Sequence, residues 1–139
     1  MKAKVCDFLS DDAKMIRKKV FMEEQGFENE FDDTDKIASQ IVMYNENEEP
    51  VATCRIFPGD EKGEFIFGRL AVMMPYRGMK IGTKMIEEAE KAVIQKGGTA
   101  LLLHAQCRVK SFYEKSGYTA FGDIEDDEGC PHIWMKKAL

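Results

Sequence analysis

The feature that most constrains this chain is the run of residues 67–85, which predicts a strand, a sharp turn and a helix. Its first residues are mostly apolar and β-prone, and Pro75 ends the strand because proline cannot continue a central ladder. Gly78 and Gly82 then bracket a turn. From Thr83 onward, apolar residues recur every three or four positions, which predicts a helix with one buried face.

This turn has the chemistry of an anion site. A helix N-terminus leaves backbone N–H groups without partners and carries a partial positive charge, so a glycine-containing turn that opens a helix often binds phosphate. Arg77, Lys80 and Lys84 add basic side chains. The alternative is an ordinary strand–helix turn whose glycines relieve crowding, and this stretch alone leaves both interpretations open.

Composition limits the class of protein. The chain has 139 residues, 44% of them hydrophobic and 32% charged, which predicts one globular domain over residues 1–139. The net charge of −5 argues against a nucleic-acid partner, and no apolar run approaches the ~20 residues that span a bilayer. The N-terminus lacks the apolar core of a signal peptide, so we expect a cytoplasmic protein without a membrane partner.

Metal binding is not expected either. The four cysteines are scattered without the spacing of a zinc site, and the acidic segment 27–35 lacks the central glycine and terminal glutamate of a calcium loop.

Hydrophobic periodicity and turn residues give the order of the elements. Strands are expected at 2–8, 37–44, 51–57, 64–73, 99–105, 117–121 and 131–136, helices at 10–25, 83–96 and 109–115, and acidic loops at 27–35 and 123–129. The strands from 37 to 73 form an antiparallel meander. Because a helix connects strands 64–73 and 99–105, these two strands should be parallel neighbours.

Three blocks in this order resemble the GNAT superfamily of N-acetyltransferases, which use acetyl-coenzyme A. They are the strand 69–72 with the turn Arg-Gly-Met-Lys-Ile-Gly at 77–82, the strand 101–106, and Phe-Tyr-Glu-Lys-Ser-Gly-Tyr at 112–118. The segments 17–35, 103–106 and 129–133 further resemble the ElaA/YjcF-like branch. The resemblance implies an α/β GNAT fold: a mixed central sheet, antiparallel except for one crossover pair, with helices on both faces.

The resemblance also implies direct transfer of an acetyl group from acetyl-CoA, as cosubstrate, to a primary amine of a small molecule or protein, through a tetrahedral intermediate. Lys80 departs from the family, which often has glycine there. By resemblance, the coenzyme-binding residues are Leu70, Ala71, Val72, Arg77, Gly78, Met79, Lys80, Ile81, Gly82, Thr83, Gln106 and Tyr113.

Tyr113 matches the family tyrosine that lies near the coenzyme sulfur. With reference pKa values of about 10 for tyrosine and about 8.5 for a thiol, full proton transfer is uphill by about 2 kcal/mol, so we expect a hydrogen-bonding acid. An amphipathic core tyrosine is the alternative. The candidate bases are Glu24, His104 and His132, or a carboxylate acting through water. Glu24 has the alternative of a solvated helix-end carboxylate and His132 that of a structural histidine, and His104 is expected to face the core.

The acceptor is not specified by the sequence. The segment 27–35 is a solvated loop, a short helix pinned by Phe27 and Phe31, or one wall of a pocket that prefers a cationic substrate. Arg69 is expected to pair with an acidic residue rather than to reach the substrate. A homodimer through exposed edge strands is left open, as is a second function, a non-catalytic module that binds or senses acyl-CoA.

Overall fold

In the computed structural model, which describes residues 1–139, seven strands form one sheet in the order β1-β2-β3-β4-β5-β7-β6. The strands are β1 (Lys2–Cys6), β2 (Ser39–Tyr44), β3 (Pro50–Pro58), β4 (Glu64–Val72), β5 (Ala100–Gln106), β6 (Thr119–Asp127) and β7 (Cys130–Ala138). The helices are α1 (Asp11–Arg17), α2 (Ile81–Gln95) and α3 (Lys110–Glu114). None of them has the length and apolarity needed to cross a membrane.

Strands β4 and β5 form the one parallel pair, as the crossover connection predicts. Every other neighbouring pair is antiparallel. The expected mixed sheet is therefore confirmed, and the carboxyl ends of β4 and β5 lie side by side.

Helices cover both faces of this sheet, as expected. Successive strand residues point to opposite faces, so Ile41 packs with α2 while its neighbour Val42 packs with α1. Ile16 of α1 and Met85 of α2 are both fully buried. Burying each such side chain stabilises the fold by roughly 1.5–3 kcal/mol.

The first helix changes its hydrogen-bonding pattern along its length. Ser10 caps α1 by accepting from the backbone N–H of Ala13 at 3.3 Å. After Arg17 the chain continues as a π-helix over Lys18–Glu24, and Gly26, with a φ of 77°, ends it. The predicted end of this helix is confirmed.

The expectation of an acidic loop at 123–129 is wrong. Strand β6 continues to Asp127, pairing Glu125 with His132 and Asp127 with Cys130, and only Glu128 and Gly129 form the turn. An edge strand leaves its side chains in water, so its acidic composition is compatible with pairing. A smaller difference is that β2 begins at Ser39, because Ile37 is exposed in the preceding turn.

Candidate active site

A cleft opens where β4 and β5 separate. Their parallel pairing ends at Phe67 and Leu103, although both strands continue beyond these residues. The cavity between them has a volume of about 760 Å³. Backbone groups of β4 that face β5 beyond Phe67 consequently have no strand partner and are available to a ligand.

The separation coincides with a β-bulge in β4. Thr53 of β3 pairs with Ala71, and two residues further along Arg55 pairs with Gly68, so β4 has one extra residue in this interval. Arg69 lies in the bulge with a φ of 53°. This left-handed backbone conformation costs a residue other than glycine about 1–2 kcal/mol. Arg69 pairs with Glu30 at 3.0 Å, which confirms the expected acidic partner.

The N-terminus of α2 lies beside the cleft but does not line it; it is linked to the lining through Gly82, which packs near Leu70. The helix begins at Ile81 after Lys80, no side chain caps it, and its first turn contains no acidic residue. Its first N–H groups therefore remain available to an anion. Lys80 itself has a φ of 60°, which explains why glycine suits this position, and its side chain is exposed.

Gly82 is needed here for space. A Cβ atom at this position would lie 3.1 Å from Cζ of Phe112 and 3.9 Å from Cδ2 of Leu70. These three residues bring α2, α3 and β4 together, so the turn, the cleft strand and the helix carrying Tyr113 form one packed unit.

Arg77 and Glu24 contact each other rather than the cleft. The Arg77 guanidinium donates to Glu24 at 2.8 Å and, through Nε, to the carbonyl oxygen of Val72 at 2.9 Å. This ties the turn to the end of β4. Glu24 is not among the residues that line the cleft.

Tyr113 lines the cleft from α3. Its ring packs edge-on against Phe112 and Tyr118, with centroid separations of 5.0 and 6.3 Å. Burial, with a smaller contribution from Cys54, raises the pKa of Tyr113 to about 12. The hydroxyl therefore keeps its proton at neutral pH and can act as a donor.

His132 presents a defined nitrogen. Its Nδ1 lies 2.8 Å from the carbonyl oxygen of Cys130. Because a carbonyl oxygen only accepts, Nδ1 must carry the hydrogen, and the neutral ring keeps its lone pair on Nε2. His132 also lines the cleft, so this Nε2 lone pair is a proton acceptor on a residue of the site.

His104 lines the cleft rather than the core. Its ring stacks on Trp134 with centroids 4.8 Å apart and lies 4.9 Å from the ring of His132. Nε2 of His104 is 3.4 Å from a carboxylate oxygen of Glu125. Two imidazoles and a carboxylate thus meet on adjacent strands, an arrangement that requires the pairing of β5, β7 and β6.

One end of the cleft is acidic, and we call it the acceptor wall: residues 26–30 together with Asp127 and Glu128. Arg69 is neutralised by Glu30, whereas Arg108, which also lines the cleft, donates only to the neutral amide of Gln106 at 2.7 Å and keeps its charge. The carboxylates of Glu28, Asp127 and Glu128 outnumber this one cation.

Four of the predicted site residues line the cleft, and the others lie outside its lining. Leu70, Gln106, Tyr113 and His132 line the cleft; Ala71 and Val72 continue β4; and residues 77–83 form the turn and the first turn of α2. Sequence reasoning missed the contributions of Phe21, Arg108, Val109 and Cys130, whereas Asn29 lies in the segment 27–35 offered as a pocket wall, and Asp127 and Glu128 lie in the acidic segment 123–129. The alternation of Glu125, Asp127 and the paired His132 was the available signal for a hairpin at the site.

Comparison with known proteins agrees with this geometry. The model of the acetyltransferase (GNAT) domain matches residues 9–139. The chain is 33% identical over 129 residues to the N-acetyltransferase YjcF of Bacillus subtilis, covering 91% of this chain and 90% of YjcF. The chain therefore belongs to the GNAT acetyltransferase family, and its similarity to YjcF confirms the expected branch.

Two solved structures share the fold. Escherichia coli ElaA superposes with a TM-score of 0.82 at 24% identity, over 98% of each chain. An aminoglycoside 6'-N-acetyltransferase complexed with coenzyme A gives 0.78 at 18% identity, over 99% of this chain and 97% of that one. The protein is an N-acetyltransferase that uses an acyl-CoA.

Proposed function

We propose that the protein transfers the acetyl group of acetyl-CoA directly to a primary amine of a small molecule or protein. The observation that carries the proposal is the separation of β4 and β5 beyond Phe67 and Leu103. It opens a cleft that the acceptor wall lines, and the uncapped N-terminus of α2 lies beside this cleft, where Gly82 packs near Leu70.

The chain offers groups suited to each part of the coenzyme. The first N–H groups of α2, with Lys80 and Lys84 beside them, suit the pyrophosphate. The unpaired edge of β4 at 70–72 and the side chain of Gln106 suit the pantetheine arm. The related fold that was solved with coenzyme A supports this placement.

The acceptor amine arrives as an ammonium ion and must lose a proton before it can attack. Nε2 of His132 is the acceptor that the geometry favours over Glu24, which is paired with Arg77. The amine nitrogen then forms a C–N bond with the thioester carbonyl carbon, and N–H groups of β4 stabilise the resulting oxyanion.

The C–S bond then breaks. The second proton of the attacking nitrogen protonates the departing thiolate, and the proton held by His132 passes to solvent, so the products are an acetamide, a thiol and one proton. Tyr113, whose pKa is raised to about 12, stabilises the thiolate by a hydrogen bond. Full transfer from it to a thiol of pKa about 8.5 would be uphill by about 5 kcal/mol.

The acceptor carries a further positive charge in this proposal. Glu28, Asp127 and Glu128 line the acceptor wall without a lysine or arginine partner, and Asp127 lies 3.8 Å from Nδ1 of His104. These carboxylates are exposed, so each attracts a cation by only about 0–1 kcal/mol, and it is their number that favours a positively charged acceptor. Polyamines, aminoglycosides and basic peptide N-termini fit this requirement better than neutral or acidic amines.

Two measurements test the proposal. Acetyl-CoA should raise the melting temperature, because a ligand of the native state stabilises it. Thiol release from acetyl-CoA should then be measured with diamines, polyamines, aminoglycosides, amino sugars and peptide N-termini, each beside a neutral amine of similar size.

We expect turnover with cationic amines. A melting shift without turnover on any amine would favour the alternative of a module that senses acyl-CoA. The absence of a shift at concentrations far above micromolar would contradict both functions.

A further inference from the structure

Six charged side chains form a network behind the acceptor wall. They are three arginines and three carboxylates, so their formal charges cancel: Arg17, Arg55, Arg69, Glu30, Asp32 and Asp35. Arg17 is fully buried and donates to Glu30 at 2.6 Å and to Asp35 at 2.7 Å. Because buried charges require well-placed partners, these bonds fix the loop that carries the carboxylates.

Asp35 is the centre of the network. It accepts from Arg17, from Arg55 at 3.0 Å and from the amide of Gln40 at 3.0 Å. Burial alone would raise the pKa of its carboxyl group, but the hydrogen bonds from Arg17, the backbone of Asp32 and Arg55 outweigh burial and hold that pKa well below its usual range. The network is therefore ionised at neutral pH.

Glu30 carries the network to the bulge in β4. Its buried carboxylate is shared between Arg17 of α1 and Arg69, whose Nε lies 3.0 Å away. A second nitrogen of Arg69 reaches Asp32 at 3.3 Å. The residue with left-handed backbone in β4 is thus also the one held by two carboxylates from another segment.

This coincidence has a physical reason. A non-glycine residue in the left-handed region persists only where its surroundings determine its conformation. The bonds from Arg69 to Glu30 and Asp32 supply that constraint. The pairing of β4 with β5 ends immediately before the bulge, at Phe67, so the conformation of Arg69 controls how the following N–H groups face the cleft.

We propose that Arg69, anchored by Glu30, is a positioning residue for acetyl transfer: it holds the β4 bulge so that the unpaired N–H groups after it face the thioester carbonyl. The inference rests on the proposed function. Two parts of the coenzyme are then held by different elements: the thioester carbonyl by β4 and the phosphate groups by α2. Loosening the bulge should therefore affect the acetyl carbonyl and leave the rest of coenzyme binding unchanged.

The test compares the full-length protein with Arg69→Gln and Arg69→Lys. Affinities for coenzyme A and acetyl-CoA are measured by calorimetry, and thiol release from acetyl-CoA is measured with hydroxylamine, a small amine that does not need the acceptor wall. For Arg69→Gln we expect coenzyme A affinity within about two-fold of wild type and thiol release lower by about 10- to 100-fold. Arg69→Lys keeps the positive charge but cannot reproduce the guanidinium geometry that bonds Glu30 and Asp32 together. Its rate of thiol release should therefore lie between those of the wild type and Arg69→Gln.

Tyr44→Phe is the matched control for stability. It removes a 2.7 Å hydrogen bond to Asp12 at a residue outside the cleft lining, so it should lower the melting temperature without slowing thiol release. If Arg69→Gln melts lower but releases thiol at the wild-type rate, the network is structural only and the inference is overturned. The same conclusion follows if affinity for coenzyme A falls as much as thiol release does.

Failure of the proposed function is visible separately. It would be seen in the wild-type protein, which would then not accelerate thiol release, whether or not it binds the coenzyme. Should Arg69→Gln not fold, Arg69→Lys carries the test, because its retained charge keeps Glu30 paired.

Discussion

The two ends of the cleft are built in different ways. At the coenzyme end, a contiguous turn and the first turn of α2 supply backbone N–H groups, and the closest packing is that of Gly82 against Phe112. At the acceptor end, the loop 26–30 and the β6–β7 hairpin both line the cavity, with charged side chains and the imidazole of His132. Backbone geometry sets the first end, and long-range ion pairs set the second.

The difference suggests a division of labour. A backbone site tolerates changes of side chain and suits a cosubstrate that stays the same across a family. A side-chain site changes with each substitution, so it suits an acceptor that differs among relatives. The network of Arg17, Glu30 and Asp35 connects the acceptor end to β4.

The largest effect should come from the network. Asp35→Asn should lower the free energy of unfolding by about 3–5 kcal/mol, because Arg17 and Arg55 lose a buried partner. Urea denaturation measures this change. Asp33→Asn is the control, since the side chain of Asp33 is 96% exposed and should change stability by less than about 0.5 kcal/mol.

The pH dependence of stability follows from the same carboxylate. The pKa of Asp35 is lowered in the folded protein, so its contribution is complete above the unfolded pKa of about 3.9 and is lost as the pH falls below it. The wild-type protein should therefore lose more stability on acidification than Asp35→Asn does. Equal acid sensitivity of the two proteins would contradict the ionised network.

His132→Gln examines the acceptor end directly. The rate of thiol release with a cationic amine should fall by about 100-fold near neutral pH, because the amine loses its proton acceptor. Raising the pH should recover much of the rate, since the amine then deprotonates in solution. A uniform loss at every pH would indicate a structural role for the bond from His132 to Cys130.

Tyr113→Phe tests the proposed hydrogen bond to the departing thiolate. Removing one hydrogen bond to a thiolate should cost about 1.5–3 kcal/mol in the transition state, which is a loss of roughly 10- to 150-fold in turnover. Calorimetric affinity for coenzyme A should stay within about two-fold. Tyr118→Phe, which loses only a bond to Glu90, should keep its turnover; unchanged turnover in Tyr113→Phe would remove this residue from the mechanism.

The smallest effect is expected at the coenzyme end. Lys80→Gly relieves a left-handed backbone and should raise stability by up to about 1 kcal/mol. If the lysine charge assists the phosphates, affinity for coenzyme A should fall a few-fold, as it should for Lys84→Ala, which removes a charge without changing the backbone. A lower melting temperature for Lys80→Gly would show that the side chain of Lys80 stabilises the turn.

The sequence predicted the coenzyme end in detail for a physical reason. The β4 strand, the turn at Gly78 and the helix that follows are consecutive, so their periodicity and turn residues are local signals. The parallel pairing of β4 and β5 follows from the handedness and length of a crossover connection, which is also a rule of chain order.

The acceptor end was predicted less well because its residues are distant in sequence. Nothing local distinguishes Asp127 in an edge strand from the same residue in a loop, and the expected loop was wrong. The position of His104 depended on which face of β5 meets the cleft. The face of β5 that meets the cleft is fixed only when β5 separates from β4 and pairs with β7.

By itself, the sequence determined the order of strands and helices, the crossover and the turn that opens α2, because each depends on residues close together in the chain. Only the tertiary structure decided that β4 bends away from β5 at Arg69, that Glu30 holds the bend, and that His132 and the carboxylates face one cavity. These features depend on charges brought together across the fold, and burial makes their pairing obligatory.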